Sequence, residues 1–81
     1  MLLVEKVLLL KATDLFTFTS EQDLVDIAAI LEDIELDPNT VVFEKGDIGQ
    51  ALYIIYQGSV RIHDGDHTLA TLGENEFFGE L

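Results

Sequence analysis

Gly73-Glu74-Asn75-Glu76-Phe77-Phe78-Gly79-Glu80-Leu81 is the stretch whose reading decides the fold. A turn signal, Gly73-Glu74-Asn75, leads into an aromatic pair and then a Gly-Glu pair. Phe77 and Phe78 are neighbours on an extended segment, so one faces a core and the other faces outward. Just upstream, His67 to Leu72 alternates, with Leu69 apolar and Leu72 closing the run. Before it, Asp64-Gly65-Asp66 supplies the φ > 0 residue a tight hairpin needs. On the far side of that turn, Ser59 to His63 alternates Val60 and Ile62 inward with Arg61 and His63 outward.

The same reading extends toward the N-terminus. Ala51 to Gln57 is an apolar strand ended by Gly58. Its Tyr53 and Tyr56 lie three apart, so a strand puts them on opposite faces, one in the core and one exposed. Gly46-Asp47-Ile48-Gly49 punctuates, Thr40 to Glu44 is β-branched and aromatic, and Pro38-Asn39 is a turn. Short strands with Gly-based turns at roughly ten-residue spacing predict a small sandwich or barrel.

Two helices precede the strands. Residues 3 to 11 carry Leu3, Val7 and Leu10 on one face, with Val4 and Leu8 beside them. Such a short segment, apolar nearly all round, predicts burial against a neighbour. Thr13 to Thr19 breaks the pattern, with Leu15, Phe16 and Phe18 expected as anchors into the core. Ser20 then caps a helix predicted over 21–33, with Asp23 at its third position and Glu21, Asp23 and Asp26 near the positive end of its dipole. Leu24, Ile27, Ala28, Leu31 and Ile34 recur at offsets of three and four, giving it an apolar face.

Composition bounds what such a chain does. Eighty-one residues, 48% of them hydrophobic, predict one folded domain near the lower size limit for a self-sufficient core. Sixteen acidic residues against four basic ones (Lys6, Lys11, Lys45, Arg61) give a net charge of −12. That field repels nucleic acid and anionic membrane surfaces. The chain has no Cys, which excludes disulfides and thiolate metal sites and fits a reducing, cytoplasmic setting. Its apolar runs are far shorter than the roughly 20 residues that span a bilayer, so no membrane insertion is expected. Glu5 follows Met1 closely and no cationic segment precedes the apolar run, which argues against a signal peptide.

Five local signatures, in order, resemble the cyclic nucleotide-binding domain family. Glu5-Lys6-Val7-Leu8 with Leu10-Lys11 and Leu15-Phe16 is similar to its N-terminal helical lead-in. Val42-Phe43 with Gly46-Asp47 and Gly49 is similar to its strand and G-D-x-G turn. Leu52-Tyr53-Ile54-Ile55 with Gly58-Ser59-Val60 resembles its Tyr-bearing hairpin. Leu69-Ala70-Thr71-Leu72-Gly73, and then Phe77-Phe78-Gly79-Glu80-Leu81, resembles the approach to its phosphate-binding cassette and the start of the cassette itself. The likeness covers essentially the whole chain. It implies a mainly β fold with N-terminal helices, a jelly-roll-like β-barrel of short antiparallel strands. The chain then reads as one incomplete domain, with a helical lead-in over 1–33 and a β-roll over 34–81, matching the N-terminal two-thirds of the family and ending inside the cassette.

The resemblance also implies a ligand site at Phe78, Gly79, Glu80 and Leu81. The Gly79 N–H and the Glu80 carboxylate would contact the nucleotide, the carboxylate accepting from the ribose 2′-hydroxyl, and Leu81 would contribute backbone. The family's phosphate-neutralising Arg belongs about ten residues further on, and no Lys or Arg follows Arg61 here. Losing one partner of a buried charged pair costs on the order of 2–5 kcal/mol. The expectation is therefore a regulatory sensor domain, for cAMP in the intact protein, whose 81-residue form binds weakly or not at all. The alternative is a non-binding interaction or oligomerisation module that retains the fold, self-associating through edges left by truncation. Asn75-Glu76 stands where the family usually has Gly-Asp, a change expected to alter the turn more than the ligand contact. Gly46, Asp47, Gly49 and Gly58 are expected to serve turns.

Other chemistry is poorly supplied. His63, Asp64, Asp66 and His67 flank one hairpin turn, but their spacing does not match a cupin-like metal site, and they read as a polar tip without a metal. Ser20 and Ser59 have no nearby His–acid pattern, and Ser20 already caps a helix, so no enzyme and no cofactor are expected.

Overall fold

The computed structural model describes residues 1–44, 47 and 51–80, with only the backbone of Glu80. The chain forms α1 (Leu3–Lys11), a 3-10 turn (Asp14–Phe16), α2 (Glu21–Ile30), and four strands: β1 (Ala51–Ile54), β2 (Val60–Asp64), β3 (His67–Leu72) and β4 (Phe77–Glu80).

The helices form where local signals place them. The Ser20 hydroxyl accepts the Asp23 N–H at 3.2 Å, satisfying one orphan donor of α2. The Glu5 carboxylate accepts the Leu2 N–H at 2.8 Å at the start of α1. Leu10, Leu24 and Ala28 are buried between the helices, with Val7, Phe16, Ile27, Leu31 and Ile54 packed around them. Thr13 is also buried, its hydroxyl donating to the Leu9 carbonyl at 2.8 Å.

Two features of the lead-in differ from the sequence expectation. Helix α2 stops at Ile30, and Leu31 is extended with ψ 134°. No Lys or Arg occupies its last turn, and Glu32 and Asp33 follow, which opposes the negative end of the dipole. Lys6 of α1 instead donates to the Leu31 carbonyl at 2.7 Å and lies 3.6 Å from Asp33. A hydrogen bond from the Met1 ammonium, aided by Lys6, holds the Asp33 carboxyl below the usual carboxylate range. Of the three expected anchors only Phe16 packs on the core; Leu15 is half-exposed and Phe18 fully exposed. The 3-10 turn admits one anchor because it presents only one side to the helices.

The strands form two antiparallel pairs. β2 and β3 make the expected hairpin around Gly65 (φ 57°), with a register shift between Ile62 and His63. A Gly with positive φ at the first loop position is what a two-residue hairpin turn takes. Ile62, expected inward, and the apolar Leu69 are both exposed, because this hairpin packs only sparsely on the other elements. β1 pairs with β4 rather than with β2, so the Leu52-to-Val60 stretch is not a ladder-bonded hairpin. Gly58, at φ 91°, turns the chain away instead. Thr40–Glu44, expected as a strand, joins neither ladder among the described residues. The result is two open two-stranded sheets behind a helical pair, with no closed barrel among the described residues.

Candidate functional site

Strand β4 carries the residues singled out by the sequence, and its register with β1 places them. Phe77 lies opposite Ile54, Phe78 opposite Tyr53, Gly79 opposite Leu52 and Glu80 opposite Ala51. Two further bonds extend the pairing: Ile55 N–H to Glu76 C=O at 3.0 Å and Asn75 N–H to Ile55 C=O at 2.8 Å. Gly79 and the Glu80 backbone are thus held on a paired strand rather than a loose loop. The side chain of Glu80, all of Leu81, and Gly46 and Gly49 lie outside the described residues.

Phe78 and Tyr53 face the same side of this ribbon and stack, with ring centroids 5.0 Å apart and planes 15° from parallel. Phe43 closes the group at 6.1 Å from each ring. The cluster ties the Thr40–Glu44 segment to the strand bearing Gly79. The opposite side of the ribbon holds Ile54, which packs on the helical core. Phe77 is partly exposed, and Tyr56, past the end of β1, is half-exposed. Each aromatic pair therefore divides between packing and surface, Tyr56 because the chain leaves the strand rather than by alternation.

The turn into β4 has a defined shape. Glu76 N–H donates to Gly73 C=O at 3.1 Å, and the Glu76 carboxylate accepts the Gly73 N–H at 2.9 Å. Asn75 sits at φ 67°. That left-handed conformation is easy for Gly and tolerable for Asn, so the Asn stands at the position where Gly fits best. Asn75→Val is expected to lower unfolding free energy by about 1–3 kcal/mol, and Asn75→Gly to stay within about 0.5 kcal/mol. Urea unfolding followed by circular dichroism checks both; equal losses would show that φ is not what matters there.

Elsewhere the predicted groups have structural work. The Asp47 carboxylate accepts the Glu44 N–H at 2.8 Å. His63 bonds through Nδ1 to the Gly65 carbonyl at 2.8 Å. Among the described residues no three His or carboxylate groups converge as a metal site. No described helix is long and apolar enough to cross a membrane. Sequence reasoning missed two shallow clefts beside the Asn75 turn, one of about 300 Å³ lined by Glu5, Leu8, Leu9, Ala12, Tyr56 and Asn75. The Glu5, Leu8, Leu9 and Ala12 spacing was a readable stripe; its meeting with Tyr56 and Asn75 was not.

Comparison with known proteins converges on one family. The profile of the cyclic nucleotide-binding domain matches residues 33–81. The chain is 49% identical over 45 residues to the cyclic AMP receptor protein of Thermus thermophilus, covering 49% of this chain and 21% of that protein. It is 33% identical over 76 residues to the human cyclic nucleotide-gated channel beta-3, covering 90% of this chain and 9% of the channel. It is 28% identical over 75 residues to the cGMP-dependent protein kinase of Eimeria tenella, covering 93% of this chain and 8% of the kinase. The chain therefore spans about a fifth or less of the curated relatives it matches. With the profile covering more than half of its residues, and the helical lead-in, short antiparallel strands and Phe77-Phe78-Gly79-Glu80 strand in place, the chain belongs to the cyclic nucleotide-binding domain family.

Proposed function

We propose that this chain is part of a non-catalytic sensor domain that answers a cyclic nucleotide, cAMP in the intact protein. The observation that carries the reading is the Gly79-Glu80 pair on a strand locked to β1. On it, the Gly79 N–H and the Glu80 carboxylate would take the nucleotide, with Phe78 and Leu81 flanking them. The relative of highest identity among those described is named for cyclic AMP, which favours cAMP over cGMP. Ligand binding would order the segment that follows β4 and shift a two-state equilibrium in whatever the domain regulates.

The 81-residue polypeptide itself binds weakly on this reading. A cyclic phosphate needs a cation, and the chain's net charge is −12. Lys6 and Lys11 are engaged by Leu31, Asp33 and Glu21. A missing charged partner weakens affinity from tens-fold to several-thousand-fold, about 2–5 kcal/mol. Calorimetric titration of the folded chain with cAMP and then cGMP tests this. The expected result is cAMP binding with a Kd of about 10 µM or weaker, tighter than cGMP, and lost in Glu80→Ala. Sub-micromolar affinity would overturn the weak-binding claim, and a preference for cGMP would overturn the choice of nucleotide.

A second reading is an interaction module that keeps the fold without the ligand. The exposed apolar residues Leu2, Val4, Leu8 and Phe18 favour it. No heat at millimolar nucleotide from a folded chain would move the assignment to this reading.

A further inference from the structure

Helix α1 presents a second face outside the Leu10, Leu24 and Ala28 cluster, on which Leu9 is buried and Leu8 is exposed. Glu5, Leu8, Leu9 and Ala12 fall at offsets of zero, three, four and seven, one continuous stripe of an α-helix. The stripe forms one wall of the 300 Å³ cleft, and Tyr56 and Asn75 form the other. Leu8 is 59% exposed and Tyr56 47% exposed, so large apolar surface stands open to water. A second cleft of about 170 Å³, lined by Asp14, Leu72, Asn75, Glu76 and Phe77, adjoins the first through Asn75.

Among the described residues, the charge lining this double cleft has one sign. Its charged lining residues are Glu5, Asp14 and Glu76, and no Lys or Arg among the described residues lines either part. Both cations of α1 are engaged toward α2: Lys6 with Leu31 and Asp33, and Lys11 with Glu21. Cross-helix pairing thus engages Lys6 and Lys11 away from the lining, where apolar residues and carboxylates stand together. A second copy of this chain would bring the same acids, and each copy carries −12, so self-docking meets like-charge repulsion.

We infer that the double cleft around Asn75 is a docking groove for a basic amphipathic protein segment, with apolar side chains against Leu8 and Tyr56 and Lys or Arg over Glu5, Asp14 and Glu76. The surface is separate from Gly79-Glu80, so the inference does not rest on nucleotide binding. Helix-in-groove recognition takes this form, apolar anchors at helical spacing with charges at the margin.

The test uses the 81-residue chain, a Leu/Lys amphipathic helical peptide about 15 residues long, and its Leu/Glu counterpart. Amide shift mapping by NMR reads where each binds. The expected result is perturbation centred on Leu8, Leu9, Ala12, Tyr56 and Asn75 by the Leu/Lys peptide alone. Leu8→Asp is expected to weaken it by about tenfold or more, while Ile30→Asp on α2, also highly exposed, changes it by less than about twofold. Tyr56→Ser, outside the ladders, gives a second variant if Leu8→Asp perturbs the helix. Shifts spread over all acidic residues, an equal effect of Ile30→Asp, binding of the Leu/Glu peptide, no binding at all, or self-association of the chain through Leu8 would each overturn the assignment.

Discussion

Leu10→Ala is expected to lower the unfolding free energy by about 3 kcal/mol, within the roughly 2–5 kcal/mol seen for buried Leu truncations. Leu10 is fully buried and touches the centre of the only cluster in which α1, α2, the 3-10 turn and β1 meet, among the described residues. Neighbours cannot easily fill the void, because Ala28 is small and Leu24 is already buried in the same cluster. An 81-residue domain has about 4–12 kcal/mol in total at roughly 0.05–0.15 kcal/mol per residue. The substitution therefore takes a large share of it. With a urea slope of about 1 kcal/mol/M, the unfolding midpoint should fall by about 3 M. Leu8→Ala, on the exposed side of the same helix, should change stability by less than about 0.5 kcal/mol. Equal effects at the two positions would mean that the helical pair is not the core on which the strands rest.

What the sequence made legible was local. The Ser20 cap, the three-and-four spacing of Leu24, Ile27 and Ala28, and the Gly65 turn each act within a few residues, and each is where it was expected. Thr40–Glu44 had equal β-branched character and joins no ladder among the described residues, because strand identity depends on a partner that composition does not name. The same holds for β1, whose strand character was clear while its partner, β4, lies more than 20 residues away. Phe18 was read as an anchor because aromatic side chains usually bury; the tight turn after Asp14–Phe16 leaves it in water. At the candidate site, motif likeness drew attention to Phe78 and Gly79, but the rings of Tyr53 and Phe43 against Phe78 come from pairing across the chain.

Phe78→Ala is expected to cost about 2–4 kcal/mol, somewhat less than a fully buried ring because Phe78 is half-buried. The loss arises on one side of the β1–β4 ribbon, where Phe78 stacks on Tyr53 and meets Phe43. A two-stranded ribbon has little else to fix its register, since an isolated pair is marginal in water. Removing the ring therefore frees the strand that bears Gly79 and Glu80. Tyr53→Ala should cost a similar amount, and the double variant less than the sum, with a coupling of about 0.5–1.5 kcal/mol for a stacked pair. Tyr53→Phe should stay within about 0.5 kcal/mol, because the hydroxyl makes no hydrogen bond among the described residues. Chemical unfolding of the four variants measures the coupling, and amide exchange at Tyr53 and Gly79 shows whether the ribbon opens first. Strict additivity would mean that the rings act only as separate apolar surface and that something other than the cluster sets the register of β4.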